Sequence, residues 1–333
     1  MTIQQQQAQR MKTHGTMHTL SRRRRPLPSI VGLSVVLAAV CAIGVPGFAT
    51  RGNIADIGLQ IAMLVVIALP MTLVILSEGL DLSVGAVLSL GGVVFAQVLA
   101  LGAGIVPALF AAGAVGLLAG GVNGVLVARL GLPPFVVTLA MLGIARGMAL
   151  VLTDGNAVVV VTPAVANLYA ASVFGVPFPV VCALAAWGLV HVLLYHTKFG
   201  TYVFAIGGNR EALTLAGVKA RIFHVAIYAL SGLFAGLAAL LLVGRMNAAE
   251  PNAAIGIEFD AIAAVVLGGT SFERGDGWLA GSVLGAVTIG MLRNALNLLG
   301  VESSLQVVSV GVLVLLVILV DSLRKSRFIG AHA

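Results

Sequence analysis

Two sets of residues in this chain could do chemistry or recognition. The first is a compact polar segment, 200–223, set between long apolar runs. Its centre reads Gly207-Gly208-Asn209-Arg210-Glu211-Ala212-Leu213-Thr214-Leu215-Ala216-Gly217. Asn209 suits a helix N-cap, since its side-chain oxygen can accept a free backbone N–H of the first turn, and Gly217 suits the residue that ends a helix. Gly207-Gly208 reads as a flexible lead-in. A short charged helix has no use inside hydrocarbon, but it suits docking on something in the cytosol. A helix lying on lipid headgroups is the alternative. The apolar face, Ala212, Leu213, Leu215 and Ala216, is small and lacks an aromatic anchor, which suits a shallow protein groove better.

The second set is polar residues within or beside apolar runs: Glu78, Asp81, Asn123, Arg146, Arg293, Asn294 and Asn297. Groups of this kind face a bundle interior or an aqueous cavity. For the asparagines two readings stay open. They line a solute pathway, or they tie helices together by hydrogen bonds worth about 0.6 kcal/mol each. Arg293 lines the same pathway or snorkels to the surface. Asp81, followed by Leu82 and Ser83, reads as a helix cap. Glu78 and Asp81 read as proton-coupling groups only if they are buried. His14 and His18 lack partner ligands. There is no zinc spacing, no Ser–His arrangement and no Gly-x-x-x-x-Gly-Lys-Ser/Thr phosphate loop, so metal, nucleophilic and ATP chemistry find no support in this chain. Cys41 and Cys182 lie in apolar runs and read as small hydrophobic residues.

The elements that position these residues follow from composition. Hydrophobic residues make up 59% and charged residues 9%, against about 25% charged in soluble chains. Crossing a hydrocarbon core as a helix takes about 20 apolar residues. The apolar runs do not alternate in polarity, so they read as helices rather than barrel strands. Spans are expected over 29–48, 54–76, 82–101, 105–128, 134–152, 177–195, 223–243, 259–269, 277–298 and 305–321. The expected fold is therefore an all-α membrane protein, a polytopic bundle of about ten transmembrane helices with a cytosolic coupling helix. The eighth span is too short to cross as a simple helix and reads as broken or half-inserted. Residues 1–28 read as a disordered cytosolic tail, 29–323 as the membrane domain and 324–333 as a second cytosolic tail.

The net charge of +7 raises nucleic acid as a partner, but its distribution points elsewhere. Arg22 to Arg25 precede the first span, and Arg324, Lys325 and Arg327 follow the last. Basic residues beside spans hold their ends in the cytosol. Glycines recur at four-residue steps, at Gly116, Gly120 and Gly124, at Gly143 and Gly147, at Gly232 and Gly236, and at Gly277, Gly281 and Gly285. That spacing makes packing seams within the bundle or between subunits.

Several blocks carry a family resemblance. Gly208 to Val218 resembles the cytosolic coupling segment of ribose-type ABC importer permeases. Gly79-Leu-Asp-Leu-Ser-Val-Gly85 is similar to that family's early signature, carried by Asp81, Ser83 and Gly85. Gly121 to Val127 with Leu132 to Leu139, Gly268-Gly-Thr-Ser271, Gly281 to Gly285 and Asn297 to Val301 complete the order over roughly 50–322. The resemblance implies an inner-membrane permease subunit of a bacterial importer for a sugar or sugar-like solute, and ten spans from a cytosolic start put both termini in the cytosol. It implies a second permease chain, alike or related, and a cytosolic ATPase pair that holds the ATP and magnesium, with no cofactor in this chain. It also implies a periplasmic or lipid-anchored binding protein, and no nucleic acid. Carried over by position, Gly208, Asn209, Arg210, Glu211, Ala212, Ala216 and Gly217 would dock on the ATPase. Asn123, Arg293, Asn294 and Asn297 are the pathway candidates. Glu78 and Arg293 depart from the family pattern, and Arg293 could favour an anionic solute or face a partner chain. An ion-coupled secondary transporter is the alternative. It would need buried acids and repeated halves, and no clear internal repeat is legible. An ABC permease for an amino acid is the other alternative.

Overall fold

The computed structural model describes residues 27–160, 162–271 and 275–330. The N-terminal tail, with Arg22 to Arg25, His14 and His18, lies outside the described residues, as does Arg274. Among the described residues the chain is almost wholly helical: α1 (Leu27–Gly44), α2 (Arg51–Leu76), α3 (Val84–Ala100), α4 (Ile105–Ala128), α5 (Pro134–Thr153), α6 (Pro163–Ala170), α7 (Phe178–Tyr195), α8 (Lys198–Leu215), α9 (Ala220–Met246), α10 (Ile257–Leu267), α11 (Leu279–Leu298) and α12 (Ser303–Gly330). Two-residue strands at Val158–Val159 and Ala248–Ala249 pair antiparallel and join the loop after α5 to the end of α9.

Local chemistry places several boundaries. Thr50 caps α2 by accepting from the Asn53 N–H. Prolines open α5 and α7, where a missing N–H costs nothing. Helices stand at all ten expected span positions. Six of them, α2, α4, α5, α7, α9 and α11, are long and apolar enough to cross a membrane. Helix α10 has 11 residues and is the short element expected for the eighth span. Helix α12 runs to Gly330, past the tail boundary expected at 323.

The core lies where α2, α3 and α9 meet. From Leu64 to Leu76 every residue of α2 is buried, and α3 and α9 are mostly buried. Helices α4, α5 and α7 turn large apolar side chains outward, among them Phe110, Leu118, Met148, Val151 and Leu184. In water such faces would be a liability, whereas in lipid or against another membrane chain they are satisfied.

Glycine sets how closely these helices pack. A Cβ on Gly116 would collide with the Gly232 carbonyl, one on Gly120 with the Tyr228 carbonyl, and one on Gly236 with the Ala112 carbonyl. Helices α4 and α9 therefore touch backbone to backbone. A second seam joins α10 to α11 through Gly268, Gly281 and Gly285. Gly143 and Gly147 have open space beside them, so they belong to no seam among the described residues.

An internal repeat emerges that is not legible in the sequence. Helices α2 to α5 and α9 to α12 have matching packing partners: α3 on α4 and α10 on α11, α3 on α5 and α10 on α12, α4 on α9 and α11 on α2. Asp81 stands just ahead of α3 and Glu258 opens α10, and each is followed at the same interval by a Gly-Gly pair, Gly91-Gly92 and Gly268-Gly269. Both short helices are fed by irregular loops. Such backbone is tolerated at membrane depth only where protein buries it. The two helices also meet: Gly85 lies against the Glu258 carboxylate, the Ala254 carbonyl and Ile257, and the Ala254 N–H donates to Ser89 Oγ at 3.2 Å.

Replacing Gly232 by Val should wedge α9 off α4 at a cost of about 1–3 kcal/mol. Gly121, on α4 but facing open space, should accept Ala without loss. Thermal unfolding of the two variants in mild detergent checks this, and equal midpoints would contradict the seam.

Candidate functional site

The polar segment folds as two helical pieces joined at Asn209. Its backbone there (φ −164°, ψ 92°) leaves the helical region inside α8. The Asn209 Oδ1 accepts the Ala212 N–H at 2.8 Å, so Asn209 caps the second piece as its residue type predicts. That piece ends with the Gly217 N–H on the Thr214 carbonyl and the Val218 N–H on the Leu213 carbonyl, with Gly217 at φ +81°. This paired closure uses the left-handed conformation glycine adopts freely. Gly207 corrects one expectation. It is helical and buried, pressed on the Leu76 carbonyl and on Gly275, so it is an anchor to the end of α2 rather than a flexible lead-in.

Past the break, Glu211, Ala212, Thr214, Leu215, Ala216 and Gly217 are exposed, with Leu215 at 88%. Arg210 bends back, and its guanidinium donates to the Ala128 carbonyl at 3.2 Å. Ala128 ends α4, where a cation also meets the negative end of the helix dipole. An open groove beside the segment is lined by Arg129, Arg210, Glu211, Thr214, Lys219 and Arg221, among others.

The early signature forms a buried knot. Asp81 is 1% exposed. It accepts the Ser83 N–H at 3.0 Å, the Ser83 hydroxyl at 2.6 Å and the Ser231 hydroxyl of α9 at 2.8 Å. Asn123 of α4 donates to Ser83 Oγ at 3.0 Å. Tyr228 of α9 exchanges hydrogen bonds with the N–H and carbonyl of Leu80. Asp81 is thus buried, but both its oxygens are occupied, and it joins α3 to α9 rather than simply capping a helix. Glu78 is exposed at φ +58°. Ser231 and Tyr228 carried no sequence signal, because only folding brings them across from α9.

The other polar residues fall into two groups. Asn294 is buried in a reciprocal amide pair with Asn53 of α2, at 2.9 Å in each direction. Arg293 and Asn297 line a cavity of about 260 Å³ with Gln60, Arg245, Asp260, Ser303 and Gln306. Within it the Arg293 guanidinium donates to Asp260 Oδ1 at 2.7 Å as an ion pair. Arg293 is therefore compensated within its own chain. An acid inside an apolar helix is the signal that would have found Asp260 and the buried Glu258. Arg146 donates to Asn252 Oδ1 at 3.0 Å and so ties α5 to the loop ahead of α10.

Residues 53–320 match a family described as the permease component of branched-chain amino acid transport systems. The ribose import permease protein of Escherichia coli is 40% identical over 89% of this chain and 94% of its own length. The D-allose transport system permease protein of the same species is 37% identical over 87% of this chain and 90% of its own. The L-arabinose ABC transporter permease protein of Azospirillum brasilense is 33% identical over 90% of this chain and 88% of its own. No solved structure matches the chain.

Replacing Asp81 by Ala strips Ser83 and Ser231 of their shared acceptor, at about 1–3 kcal/mol for each buried group left unpaired. Asp81→Asn keeps one carbonyl oxygen and should lose less. Thermal midpoints in detergent that fall equally for both variants would show that charge, rather than acceptor geometry, holds the knot.

Proposed function

This chain belongs to the permease-component family matched over residues 53–320, and on that premise we propose that it is the membrane subunit of an ATP-driven importer for a monosaccharide. The observation that carries the proposal is the identity of 33–40% to three sugar permeases, each covering about nine-tenths of this chain. The family description names branched-chain amino acids, but the full-length relatives are named for sugars, and likeness along the whole chain weighs more.

In this reading the chain sits in a bacterial inner membrane with both termini cytosolic. The segment Gly208 to Gly217 docks on a cytosolic ATPase subunit, with Glu211, Ala212, Ala216 and Gly217 at its exposed surface. The outward tip at Leu215 supports this, since an apolar side chain 88% exposed gains by entering a protein groove. ATP and magnesium stay on the ATPase pair, and a periplasmic binding protein delivers the solute. A second permease chain covers the open face of α5 around Gly143 and Gly147, where small residues let a neighbouring helix approach. Alternating access follows from closure of the ATPase pair. The segment is fastened to α2 at Gly207 and to α4 through Arg210, so its displacement is delivered to both helices. Of the pathway candidates, Arg293 and Asn297 face a cavity, Asn294 ties two of its bounding helices, α11 and α2, together, and Asn123 belongs to the Asp81 knot. The matching halves and buried acids are those an ion-coupled transporter would need, but the relatives that cover the chain are import and ABC permeases, and both oxygens of Asp81 are occupied.

The double variant Arg210→Ala/Glu211→Ala should abolish ATP-driven sugar uptake and co-purification of the ATPase, with a native amount of chain in the membrane. Undiminished uptake by that variant overturns the docking assignment.

A further inference from the structure

The cavity lined by Arg293 and Asn297 does not belong to the coupling segment or to the Asp81 knot. It is bounded by α2, α10, α11 and α12, with Arg245 from the end of α9. Five side chains able to donate or accept hydrogen bonds, Gln60, Asp260, Arg293, Asn297 and Gln306, line it in a chain that is 59% hydrophobic. The volume of about 260 Å³ falls just below the roughly 300–1,000 Å³ of sites for drug-sized ligands. It suits a molecule about the size of one sugar ring.

The chemistry of the lining points the same way. Arg293 engages one oxygen of Asp260, and no second protein hydrogen bond to that carboxylate is found among the described residues. Asp260 is therefore oriented by one ion pair while keeping acceptor capacity, since an ionised carboxylate has about four lone-pair sites. The Asn297 side chain is exposed. Gln306 spends its amide N–H on the Val301 carbonyl, which leaves its oxygen as a further acceptor. A fixed carboxylate beside amide donors and acceptors matches a row of hydroxyls. The Asp260–Arg293 pair is neutral as a unit, and Arg245 is exposed, so water and salt screen its charge. The cation left over after that pairing is therefore the exposed Arg245, while the buried Arg293 Nε, without a partner among the described residues, offers a further donor to a hydroxyl oxygen.

We infer that this cavity is a binding site for one neutral monosaccharide, with the Asp260 carboxylate accepting from its hydroxyls, Arg293 fixing that carboxylate, and Asn297 and Gln306 completing the contacts. The inference rests on the proposed importer function, and it assigns to this chain a solute contact of its own, separate from that of any binding protein.

The test uses the complete transporter in proteoliposomes, the chain with its ATPase and a saturating amount of its binding protein. The probes are labelled D-ribose, D-allose, L-arabinose and the anionic D-galacturonate. The forms compared are native, Asp260→Asn, the exchanged pair Asp260→Arg/Arg293→Asp, Asn297→Ala and Gln306→Ala. Membrane amount and thermal midpoint are measured for each. Import of at least one neutral sugar by the native form is expected, with a loss of about tenfold in Asp260→Asn, as removal of a charge-assisted hydrogen bond implies. The exchanged pair should recover the native midpoint without recovering import. Asn297→Ala and Gln306→Ala should raise the KM for import at unchanged midpoint.

Native import by the exchanged pair, or by both alanine variants, overturns the site and leaves the importer reading intact. Import of galacturonate alone by the native form overturns the neutral class. Import of none of the probes removes the sugar reading and this inference with it. Uptake that does not depend on ATP defeats the importer reading, whatever the variants do.

Discussion

Helices α4 and α9 touch through bare backbone at Gly116, Gly120, Gly232 and Gly236, and the rest of the bundle depends on that approach. Inside a bilayer no hydrophobic force separates helix from lipid, so association has to come from close packing and interhelical hydrogen bonds. At this seam any side chain larger than hydrogen would meet a carbonyl. The contact sets the distance at which Ser231 and Tyr228 of α9 reach the Asp81 loop, and at which Asn123 of α4 reaches Ser83. The polar knot and the glycine seam therefore support each other. The seam brings the partners into range, and the knot removes the cost of burying a carboxylate and an irregular loop.

The two short helices, α3 and α10, follow from the same logic. Each starts from a loop that leaves backbone groups without helical partners, which lipid would not tolerate. The structure satisfies both by turning them inward. Asp81 serves the loop ahead of α3, and the Glu258 carboxylate accepts the Gly256 N–H at 3.2 Å ahead of α10. Gly85 then lets one start lie against the other.

The polar segment stands at the edge of this core. Gly207 holds it on the end of α2, and Arg210 holds it on the end of α4. Because α4 is locked to α9 by backbone contact, the exposed piece is tied to the centre of the bundle through helices as well as through the loop that follows it. Asn209 breaks the helix between the two attachments, so the exposed piece has its own axis and presents Leu215 outward.

Much of this was legible in the residues alone. Composition and run length determined a helical membrane chain and the positions of its long apolar helices, though not α6 or the first piece of α8, because the bilayer admits few solutions for a long apolar run. Asn209 and Gly217 disclosed the caps of the short helix in the polar segment, since capping chemistry is local. The blocks around Asp81, Asn123 and Gly268 disclosed the family, to which the match over residues 53–320 assigns the chain. Contacts that join distant segments were not legible: the pairing of Arg293 with Asp260, of Asn294 with Asn53 and of Asp81 with Ser231, the burial of Gly207, and the matching halves. Each depends on which face of one helix meets another. In a chain where nearly every face is apolar, hydrophobic periodicity carries little information about that choice, and only the fit of small and polar side chains in three dimensions makes it.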